Sequence, residues 1–426
     1  MQLPAGFLLG AATAAHQVEG NNTNSDFWVM ENLPHSHFSE PSGEACDHYN
    51  RFLEDILLLK NAGLNCYRFS IEWARIEPEE GKFNDREIDH YRQVLDACIA
   101  NGIEPVVTLM HFSSPSWLIG RGGWADERIV EYFTRYCRKV VSQLGNRMHY
   151  VCTINEANMG LQLADVLERM FKKMGINLQV GMNLKLSDAQ MVGLREQAEA
   201  FGVENPMDIH PFMSQATWET DTLILRAHDA ARKAIKEICP ELKVGLTLSL
   251  HHFDVLTDGE AQAQRLWDRE FSHYLPVISN DDFIGIQNYT REIIGPNGVL
   301  PVPENAKKTQ MGYEYYPASL EAVIRKVAES YHGKLFVTEN GVSTDDDELR
   351  IHYITEVMAG LKRCLVDGLP VVGYTHWSLL DNFEWQAGYS KTFGLIAVDR
   401  TTQARTVKPS LAYLGNFAPK TIAEEV

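Results

Sequence analysis

The sequence of 426 residues contains no apolar run that approaches the ~18 residues a helix needs to cross a bilayer. A membrane-spanning protein is therefore not expected. The seven cysteines form no C-x-x-C pair and are scattered through apolar runs. An odd and unpaired set fits buried reduced thiols better than a disulfide framework or a zinc site. We therefore expect a cytoplasmic protein.

Positive charge is also scarce. The chain has 39 Lys and Arg residues against 57 Asp and Glu residues, which leaves a formal net charge of −18. Such a field repels phosphate backbones and anionic lipid headgroups, so neither nucleic acid nor a membrane surface is an expected partner. Residues 7–15 have the small and apolar character of a signal-peptide core, but no basic segment precedes them. We interpret them as a strand.

No G-x-G-x-x-G or P-loop pattern follows any apolar run, so a nucleotide-binding open sheet has no support. A different rhythm recurs, in which an amphipathic stretch ends at glycine and a short apolar run of strand character follows. Residues 85–100 have apolar positions at helical spacing, Gly102 is placed to end the helix in a left-handed conformation, and an apolar run follows. The pattern predicts eight strands, at residues 7–13, 66–70, 105–109, 150–154, 244–248, 283–286, 335–338 and 371–374.

Strands that alternate with helices favour parallel pairing, because each return crossover needs a dozen or more residues. Eight such units close naturally into a barrel. We therefore predict an α/β protein, a single (β/α)8 TIM barrel domain over residues 1–426, with an open doubly wound sheet as the competing layout. In a barrel the chemistry gathers where the strands end.

Two of the predicted strands end on glutamate, Glu156 after strand 4 and Glu339 after strand 7. A carboxylate at the rim of a cavity is partly desolvated, and a like-charged neighbour splits the two pKa values into an acid and a base. Glycoside hydrolysis requires such a pair: one group protonates the leaving oxygen, and the other attacks or activates water at the anomeric carbon. The pair therefore indicates a glycosidase.

Polar and aromatic side chains follow the other strands. Sugars need hydrogen-bond partners for their hydroxyls and flat apolar surfaces for their C–H faces, and this composition supplies both. The residues at these strand ends are His16, Gln17, Arg68, His111, Gln287, Asn288, Tyr289, His376 and Trp377.

These residues lie in motifs by which the chain resembles the glycoside hydrolase family 1 β-glycosidases. The resemblance runs nearly end to end, from FLLGAATAAHQVEG to FGLIAVD. Its most specific segments are TINEA around Glu156, VTENG around Glu339 and HWSLLDNFEWQAGYSKTFG at residues 376–394. The family's fold is the (β/α)8 barrel, as the strand pattern also predicts.

The resemblance implies a role for each matching residue. Glu156 matches the acid/base and Glu339 the nucleophile of a retaining double displacement through a covalent glycosyl-enzyme, and no metal or organic cofactor takes part. Asn155 matches the ligand of the sugar 2-hydroxyl. The remaining matches are Arg68 and Tyr289, which hold the nucleophile ionised and oriented, Gln17, His111, Glu384 and Trp385, which contact glycone hydroxyls, and Trp377, the platform beneath the ring. A carboxylate at position 384 favours free sugars over 6-phosphorylated ones, so the expected partner is a small, non-phosphorylated β-glycoside, most simply a β-glucoside.

Four positions depart from the family's usual residues. Ala157 replaces a proline, His16 a tyrosine, Phe112 a tryptophan and Gln287 an asparagine. None of these changes removes a catalytic group. The longer amide of Gln287 lies near the nucleophile and affects how the glycone is positioned.

Two other functions remain open at this point. A metal-dependent barrel hydrolase would use His251, His252 and Asp254, with His16 and His111, as ligands. That alternative leaves the two glutamates without a role. A catalytically inactive sugar-binding barrel would keep the polar rim while losing a carboxylate, yet both carboxylates are present.

The chain departs most from the family between strands 4 and 5, where we predict a helical lid at about residues 158–215. One amphipathic pattern carries Leu163, Leu167, Phe171 and Met174, and a second opens with a capping box at residues 187–190 and ends at Gly202. An ordinary barrel helix then follows at residues 217–238. Because the segment begins just after Glu156, we expect it over the leaving-group side, where flexible methionines would favour apolar or aromatic aglycones. Its methionines are Met159, Met170, Met174, Met182, Met191, Met207 and Met213.

Overall fold

The computed structural model describes residues 3–173 and 188–419. The strands in these residues are β1 (Leu8–Ala12), β2 (Cys66–Ser70), β3 (Glu104–Met110), β4 (Tyr150–Ile154), β5 (Lys243–Ser249), β6 (His252–Val255), β7 (Phe283–Gln287), β8 (Arg291–Gly295), β9 (Gly298–Val299), β10 (Lys334–Asn340), β11 (Val371–Trp377), β12 (Ile396–Val398) and β13 (Arg405–Val407).

Eight of these strands close a parallel barrel in the order β1-β11-β10-β7-β5-β4-β3-β2. They are the eight strands that the sequence pattern predicts, and the (β/α)8 fold is confirmed. The open doubly wound sheet is excluded, because β1 pairs with both β2 and β11. Two small accessory sheets, β6-β8-β9 and β12-β13, lie outside the barrel.

Helices in the connections surround the barrel. They are α1 (Ala15–Val18), α2 (Asp26–Glu31), α3 (His48–Asn61), α4 (Trp73–Ile76), α5 (Asp85–Ala100), α6 (Ser116–Ile119), α7 (Ile129–Leu144), α8 (Met159–Lys173), α9 (Asp188–Phe201), α10 (Trp218–Ile238), α11 (Glu260–Glu270), α12 (Leu275–Ile278), α13 (Ser319–Ala328), α14 (Asp347–Val366) and α15 (Pro409–Gly415).

The helix ends follow the capping chemistry of the sequence. Asn84 caps α5, and Gly102 follows that helix with a φ of 70°. Glycine adopts this left-handed conformation without the steric cost of a Cβ. Thr217 caps α10 by accepting a hydrogen bond from the Thr220 amide. The predicted helices at residues 85–100 and 217–238 are therefore confirmed.

The amino-terminal half of the barrel interior is filled. Side chains from five strands form a buried layer there: Cys66, Val106, Cys152, Phe283 and Phe336. A filled interior makes the barrel a packed core and not a pore. Any cavity that holds polar groups must therefore lie above this layer, at the carboxyl ends of the strands.

The predicted lid coincides with α8 and α9, which lie between β4 and α10. Helix α8 packs against α10 and α11, while α9 packs against α2 and α6. Gly202 follows α9 with a φ of 67°, as predicted for a helix-ending glycine. Met174, Met182 and the start of the predicted capping box lie outside the described residues.

The seven cysteines are free, and all are buried except Cys239, which is half-buried. No helix in the described ranges is long and apolar enough to cross a membrane.

Candidate active site

Glu156 follows β4 in a left-handed backbone conformation, with a φ of 44° that side-chain-bearing residues rarely adopt. Two hydrogen bonds to β5 hold this turn. The Glu156 amide donates to Thr247 Oγ1 (3.0 Å), and the Ala157 amide donates to the Thr247 carbonyl (3.0 Å). The turn lifts the Glu156 carboxyl out of the strand ladder to the barrel mouth, where it is 6% exposed.

Glu339 lies near the end of β10 and is held by two donors. Arg68 Nη1 donates to Glu339 Oε1 at 2.5 Å, and the Tyr289 hydroxyl donates to Oε2 at 2.6 Å. Arg68 is fully buried, so its charge acts at close range and with little screening. Burial raises the pKa of Glu339, but the charge of Arg68 and these hydrogen bonds oppose that rise. The pKa of Glu339 is raised overall, and the two donors limit that rise because they stabilise the ionised form.

Glu156 forms no ion pair with Lys or Arg in the described part of the chain. Burial, followed by the negative charge of Glu339, raises the pKa of Glu156 to about 8. The two carboxyl groups therefore titrate differently, and Glu156 holds a proton at neutral pH while Glu339 is paired with a cation.

Asn155 precedes Glu156, and its side chain shares Arg68 with Glu339. Asn155 Oδ1 accepts from Arg68 Nη2 (2.6 Å) and from Gln287 Nε2 (2.9 Å). One guanidinium therefore sets the positions of both the nucleophile candidate and this amide. Its planar fork can hold two acceptors at fixed angles.

The remaining predicted residues form a second wall around Trp377 and Glu384, and His111 Nε2 of this wall lies 4.0 Å from Glu339 Oε1. Trp377 Nε1 donates to Glu384 Oε1 (3.3 Å), and Gln17 Nε2 donates to the Phe383 carbonyl (2.8 Å). His111 stacks on Trp377 at 5.7 Å and on Trp385 at 6.2 Å between ring centroids. Contacts and charge interactions thus link all ten residues of the predicted site at the carboxyl-terminal end of the barrel.

Two further pKa shifts describe this wall. Burial raises the pKa of Glu384 to about 8, although the hydrogen bond from Trp377 opposes that rise. Burial and the charge of Arg68 lower the pKa of His111 well below its usual range, so its imidazole is neutral. The wall therefore offers neutral hydrogen-bonding groups and aromatic faces.

Several buried polar atoms at the mouth have no hydrogen-bond partner in the described part of the chain. They are Gln17 Oε1, His111 Nδ1, Asn155 Nδ2 and Gln287 Oε1. Each such atom costs about 1–3 kcal/mol when it stays unpaired away from water. A ligand with several hydroxyl groups can pair with all of them, because a hydroxyl both donates and accepts.

His251, which the sequence suggested as a possible metal ligand, is a cation that acts on Glu156. His251 Nδ1 lies 2.8 Å from Glu270 Oε1, and the His251 amide donates to Oε2 at 3.0 Å. Burial lowers the pKa of His251, but Glu270 raises it to about 9. The resulting positive charge on His251 lowers the pKa of Glu156. Ser249, at the end of β5, is a further neighbour of Glu156 that the sequence analysis missed.

Three of the five residues of the metal-site alternative have other partners. His16 Nε2 lies 3.2 Å from Glu31, His251 is held by Glu270, and Asp254 accepts from Arg291 at 2.6 Å. Within residues 3–173 and 188–419, no three His, Cys, Asp or Glu side chains converge as a ligand set.

Comparison with known proteins agrees with this geometry. The family model described as glycosyl hydrolase family 1 matches residues 1–171 and 270–421. β-Glucosidase A of Thermotoga maritima is 30% identical, and the alignment covers 97% of each chain.

Solved structures extend the similarity to three dimensions. The β-glycosidase BGL167 is 43% identical, with a TM-score of 0.89 over 98% of each chain. A β-glucosidase from Thermotoga maritima in complex with deoxynojirimycin is 28% identical, with a TM-score of 0.79 over 98% of this chain and 100% of that one. A match that runs nearly from end to end shows that the chain belongs to glycosyl hydrolase family 1 and is a β-glycosidase.

Proposed function

We propose that this β-glycosidase is a retaining β-glucosidase that hydrolyses non-phosphorylated β-glycosides, with Glu339 as nucleophile and Glu156 as acid/base. One observation carries the proposal. Glu339 is held between the Arg68 guanidinium and the Tyr289 hydroxyl, whereas Glu156 has a pKa raised to about 8 and no Lys or Arg partner among the described residues. One carboxylate is therefore prepared to attack and the other to donate a proton.

In the first step, Glu339 attacks the anomeric carbon while Glu156 gives its proton to the leaving oxygen, and the aglycone departs as an alcohol. Arg68 and Tyr289 release part of their hold on Glu339 as its charge passes into the new C–O bond. In the second step, Glu156 is a carboxylate. It takes a proton from water as the water oxygen attacks the anomeric carbon, which frees Glu339 and restores the proton of Glu156.

We assign the glycone to the unpaired polar atoms and aromatic faces near the nucleophile. Arg68 donates to both Asn155 and Glu339, so the Asn155 amide lies near the nucleophile. This position suits a ligand of the 2-hydroxyl. Gln17, His111, Glu384 and Trp385 would contact the other hydroxyls, and Trp377 would lie beneath the ring. Glycoside recognition of this kind combines stacking with directed hydrogen bonds.

A panel of aryl β-glycosides that differ in the glycone tests the proposal, with wild type and Glu339→Ala compared. We expect wild type to hydrolyse the β-glucoside and Glu339→Ala to show no turnover. Binding of simple sugars with no turnover of any glycoside would instead favour the inactive sugar-binding barrel.

The pocket wall around Glu384 predicts a preference for free sugars over 6-phosphosugars. Glu384 is 8% exposed, and Glu339 and Asp381 add negative potential there. Glu384 is neutral or negative, so it supplies no positive charge in either protonation state. A dianionic phosphate would therefore lose its hydration at this wall without gaining a cationic partner from Glu384. We expect kcat/KM for 4-nitrophenyl β-glucoside to exceed that for its 6-phosphate at least about 10-fold.

Glu384→Ser is the matched variant for this comparison, because it removes the carboxyl and keeps a hydroxyl. It should narrow the ratio of the two kcat/KM values by weakening turnover of the free sugar. A wild-type preference for the 6-phosphate would contradict the prediction.

We also propose that α8 borders the leaving-group side, since it begins three residues after Glu156. A cavity of about 160 Å³ lies between α8, α11 and the residues after β5 and β7. Met159, Leu163 and Val166 form an apolar part of its lining on α8, and charged residues of α8 and α11 line much of the rest. Apolar contacts of this kind would favour aromatic aglycones over a second sugar. The preference for apolar aglycones then depends on Met159, the described methionine nearest Glu156 in the chain.

The corresponding prediction compares Met159→Ser with Met207→Ser. Met207 lies in the same insertion but is 59% exposed, so its replacement is the control. Met159→Ser should lower kcat/KM for an aromatic glucoside relative to cellobiose about 3-fold to 10-fold, as expected for the loss of part of a half-buried apolar side chain. A wild-type preference for cellobiose, or equal effects of the two variants, would remove α8 from the account of specificity.

We propose the cytoplasm as the compartment. The seven thiols are unpaired in the structure, and six of them are buried, which agrees with a reducing environment.

A further inference from the structure

We propose that Gln287 determines specificity at the sugar's second carbon: its side-chain carbonyl accepts a hydrogen bond from the same hydroxyl to which Asn155 donates. This inference rests on the proposed function and adds one residue to the recognition of the glycone. It concerns a position where this chain carries a longer amide than the asparagine usual at the corresponding place.

Two donors fix the orientation of the Asn155 side chain. Its Oδ1 accepts from two donors, Arg68 Nη2 at 2.6 Å and Gln287 Nε2 at 2.9 Å. A guanidinium has no acceptor, so the atom that faces Arg68 must be the carbonyl oxygen. The Asn155 side chain is therefore fixed, and its Nδ2 must find an acceptor elsewhere.

The side chain of Gln287 has one hydrogen-bonded end and one end unpaired among the described residues. Gln287 is the last residue of β7 and is fully buried, opposite Glu339 in the ladder between β7 and β10. Its Nε2 is committed to Asn155 Oδ1, which leaves Oε1 as a buried acceptor without a partner in the described part of the chain. Asn155 Nδ2 is a buried donor in the same condition.

Asn155 Nδ2 and Gln287 Oε1 can share one ligand. They belong to two carboxamides whose other ends are hydrogen-bonded to each other, and one atom donates while the other accepts. A single hydroxyl between them can accept from Asn155 Nδ2 and donate to Gln287 Oε1. It would remove both unpaired groups at once, whereas an ether oxygen would satisfy only the donor.

The position of this pair identifies the hydroxyl. Arg68 contacts both Asn155 and Glu339, so the pair lies beside the carboxylate that attacks the anomeric carbon. The neighbours of that carbon in the sugar ring are the ring oxygen and the second carbon. Only the second carbon carries a hydroxyl, and hydrogen bonds to this group strengthen in the transition state of glycoside hydrolysis.

Gln287 also acts on the nucleophile, because a hydrogen bond from its side chain helps to oppose the burial that raises the pKa of Glu339. The two roles predict different kinetics. A role confined to Glu339 affects every substrate equally, whereas recognition of the 2-hydroxyl affects only substrates that carry it.

The experiment compares 4-nitrophenyl β-glucoside with its 2-deoxy analogue in wild type, Gln287→Met and Gln287→Asn. Methionine is close to glutamine in length but lacks the carbonyl and amide, and asparagine keeps both on a shorter side chain. We expect Gln287→Met to lower kcat/KM for the glucoside about 10-fold to 100-fold more than for the 2-deoxyglucoside, because loss of the hydrogen bond to Glu339 affects both substrates alike and a site that binds a hydroxyl loses most when that contact is removed. Gln287→Asn should give a smaller loss with the same selectivity.

Tyr289→Phe is the matched control. The Tyr289 hydroxyl donates to Glu339 Oε2, so its loss should lower kcat/KM for both substrates by the same factor. Equal losses on the two substrates in Gln287→Met would overturn the inference. If Gln287→Met does not fold, as judged from its Tm, equal losses in Gln287→Asn would overturn it in the same way. Failure of wild type to hydrolyse the glucoside would instead refute the proposed function.

Discussion

Replacement of Glu339 by alanine is expected to lower kcat/KM for aryl β-glucosides by at least about 10,000-fold, the largest effect of any single change in this site. The substitution removes the attacking atom, and no other carboxylate is paired with Arg68 in the described residues. Removal of a covalent nucleophile eliminates the two-step route and leaves only binding and proton donation.

Added azide should restore part of the activity of Glu339→Ala, because the small anion fits the space that the carboxylate leaves. It would attack from the nucleophile's side while Glu156 still donates a proton, and a single displacement inverts the anomeric centre. The product to identify, by NMR, is therefore the α-glycosyl azide. Formation of the β-glycosyl azide would place azide on the opposite face and refute the assignment of Glu339.

Arg68 is fully buried and loses its counter-ion in Glu339→Ala, so loss of activity must be separated from loss of folding. Glu339→Gln is the matched control, since its carbonyl can still accept from Arg68, its amide nitrogen can donate to the Tyr289 hydroxyl, and an amide is a very poor nucleophile. A Tm near that of wild type with the same loss of turnover assigns the effect to chemistry.

The barrel could be predicted from the sequence because each strand is a short apolar run that follows a helix-ending glycine. The carboxyl ends of two strands were predicted too early in the chain. Strand β10 was predicted to end at residue 338 and β11 at residue 374, yet they continue to Asn340 and Trp377. Hydrophobic patterning stops where polar site residues begin, whereas the backbone ladder continues through them. The residues left out of the predicted strands therefore include Glu339 and Trp377 of the candidate site.

The accessory sheet of β6, β8 and β9 was not predicted. Its strands are short and half-exposed, and their alternation is too brief to identify a strand. In the sequence alone, His252 and Asp254 were possible metal ligands. In the structure Asp254 pairs with Arg291 across this sheet, a contact that depends on how the residues after two barrel strands meet.

Position at a strand end identified most of the candidate site residues but did not by itself predict which of them touch. The contact of Arg68 with Glu339 was expected only from the family resemblance, and that of Gln287 with Asn155 was not predicted. The contacts of Arg68 with Glu339 and of Gln287 with Asn155 join residues far apart in the chain. They form only because the barrel closes β2, β4, β7 and β10 around one axis. The partner of His251 was missed for the same reason, since Glu270 lies at the end of α11 and has no local motif that marks it.

Replacement of Glu156 by alanine should give a loss that depends on the leaving group. An activated dinitrophenol departs with little protonation, so kcat/KM for its β-glucoside, which reports the first step, should fall less than about 10-fold. A poor alkyl leaving group needs the proton, and kcat/KM for that glucoside should fall about 100-fold to 10,000-fold. Added azide should replace water in the second step and yield the β-glycosyl azide, the opposite anomer to that from Glu339→Ala.

The pH profile provides an independent test of the same residue. Because burial and the charge of Glu339 raise the pKa of Glu156 to about 8, its proton is present at neutral pH and is lost as the pH rises through that value. In wild type, kcat/KM for the alkyl glucoside should therefore fall on the alkaline side near pH 8, and Glu156→Ala should lack that limb. His251 lowers the pKa of Glu156 and loses its own proton near pH 9, since Glu270 raises its pKa to about that value. It therefore broadens the limb but does not create it, and an alkaline limb that persists unchanged in Glu156→Ala would assign the proton donor to another group.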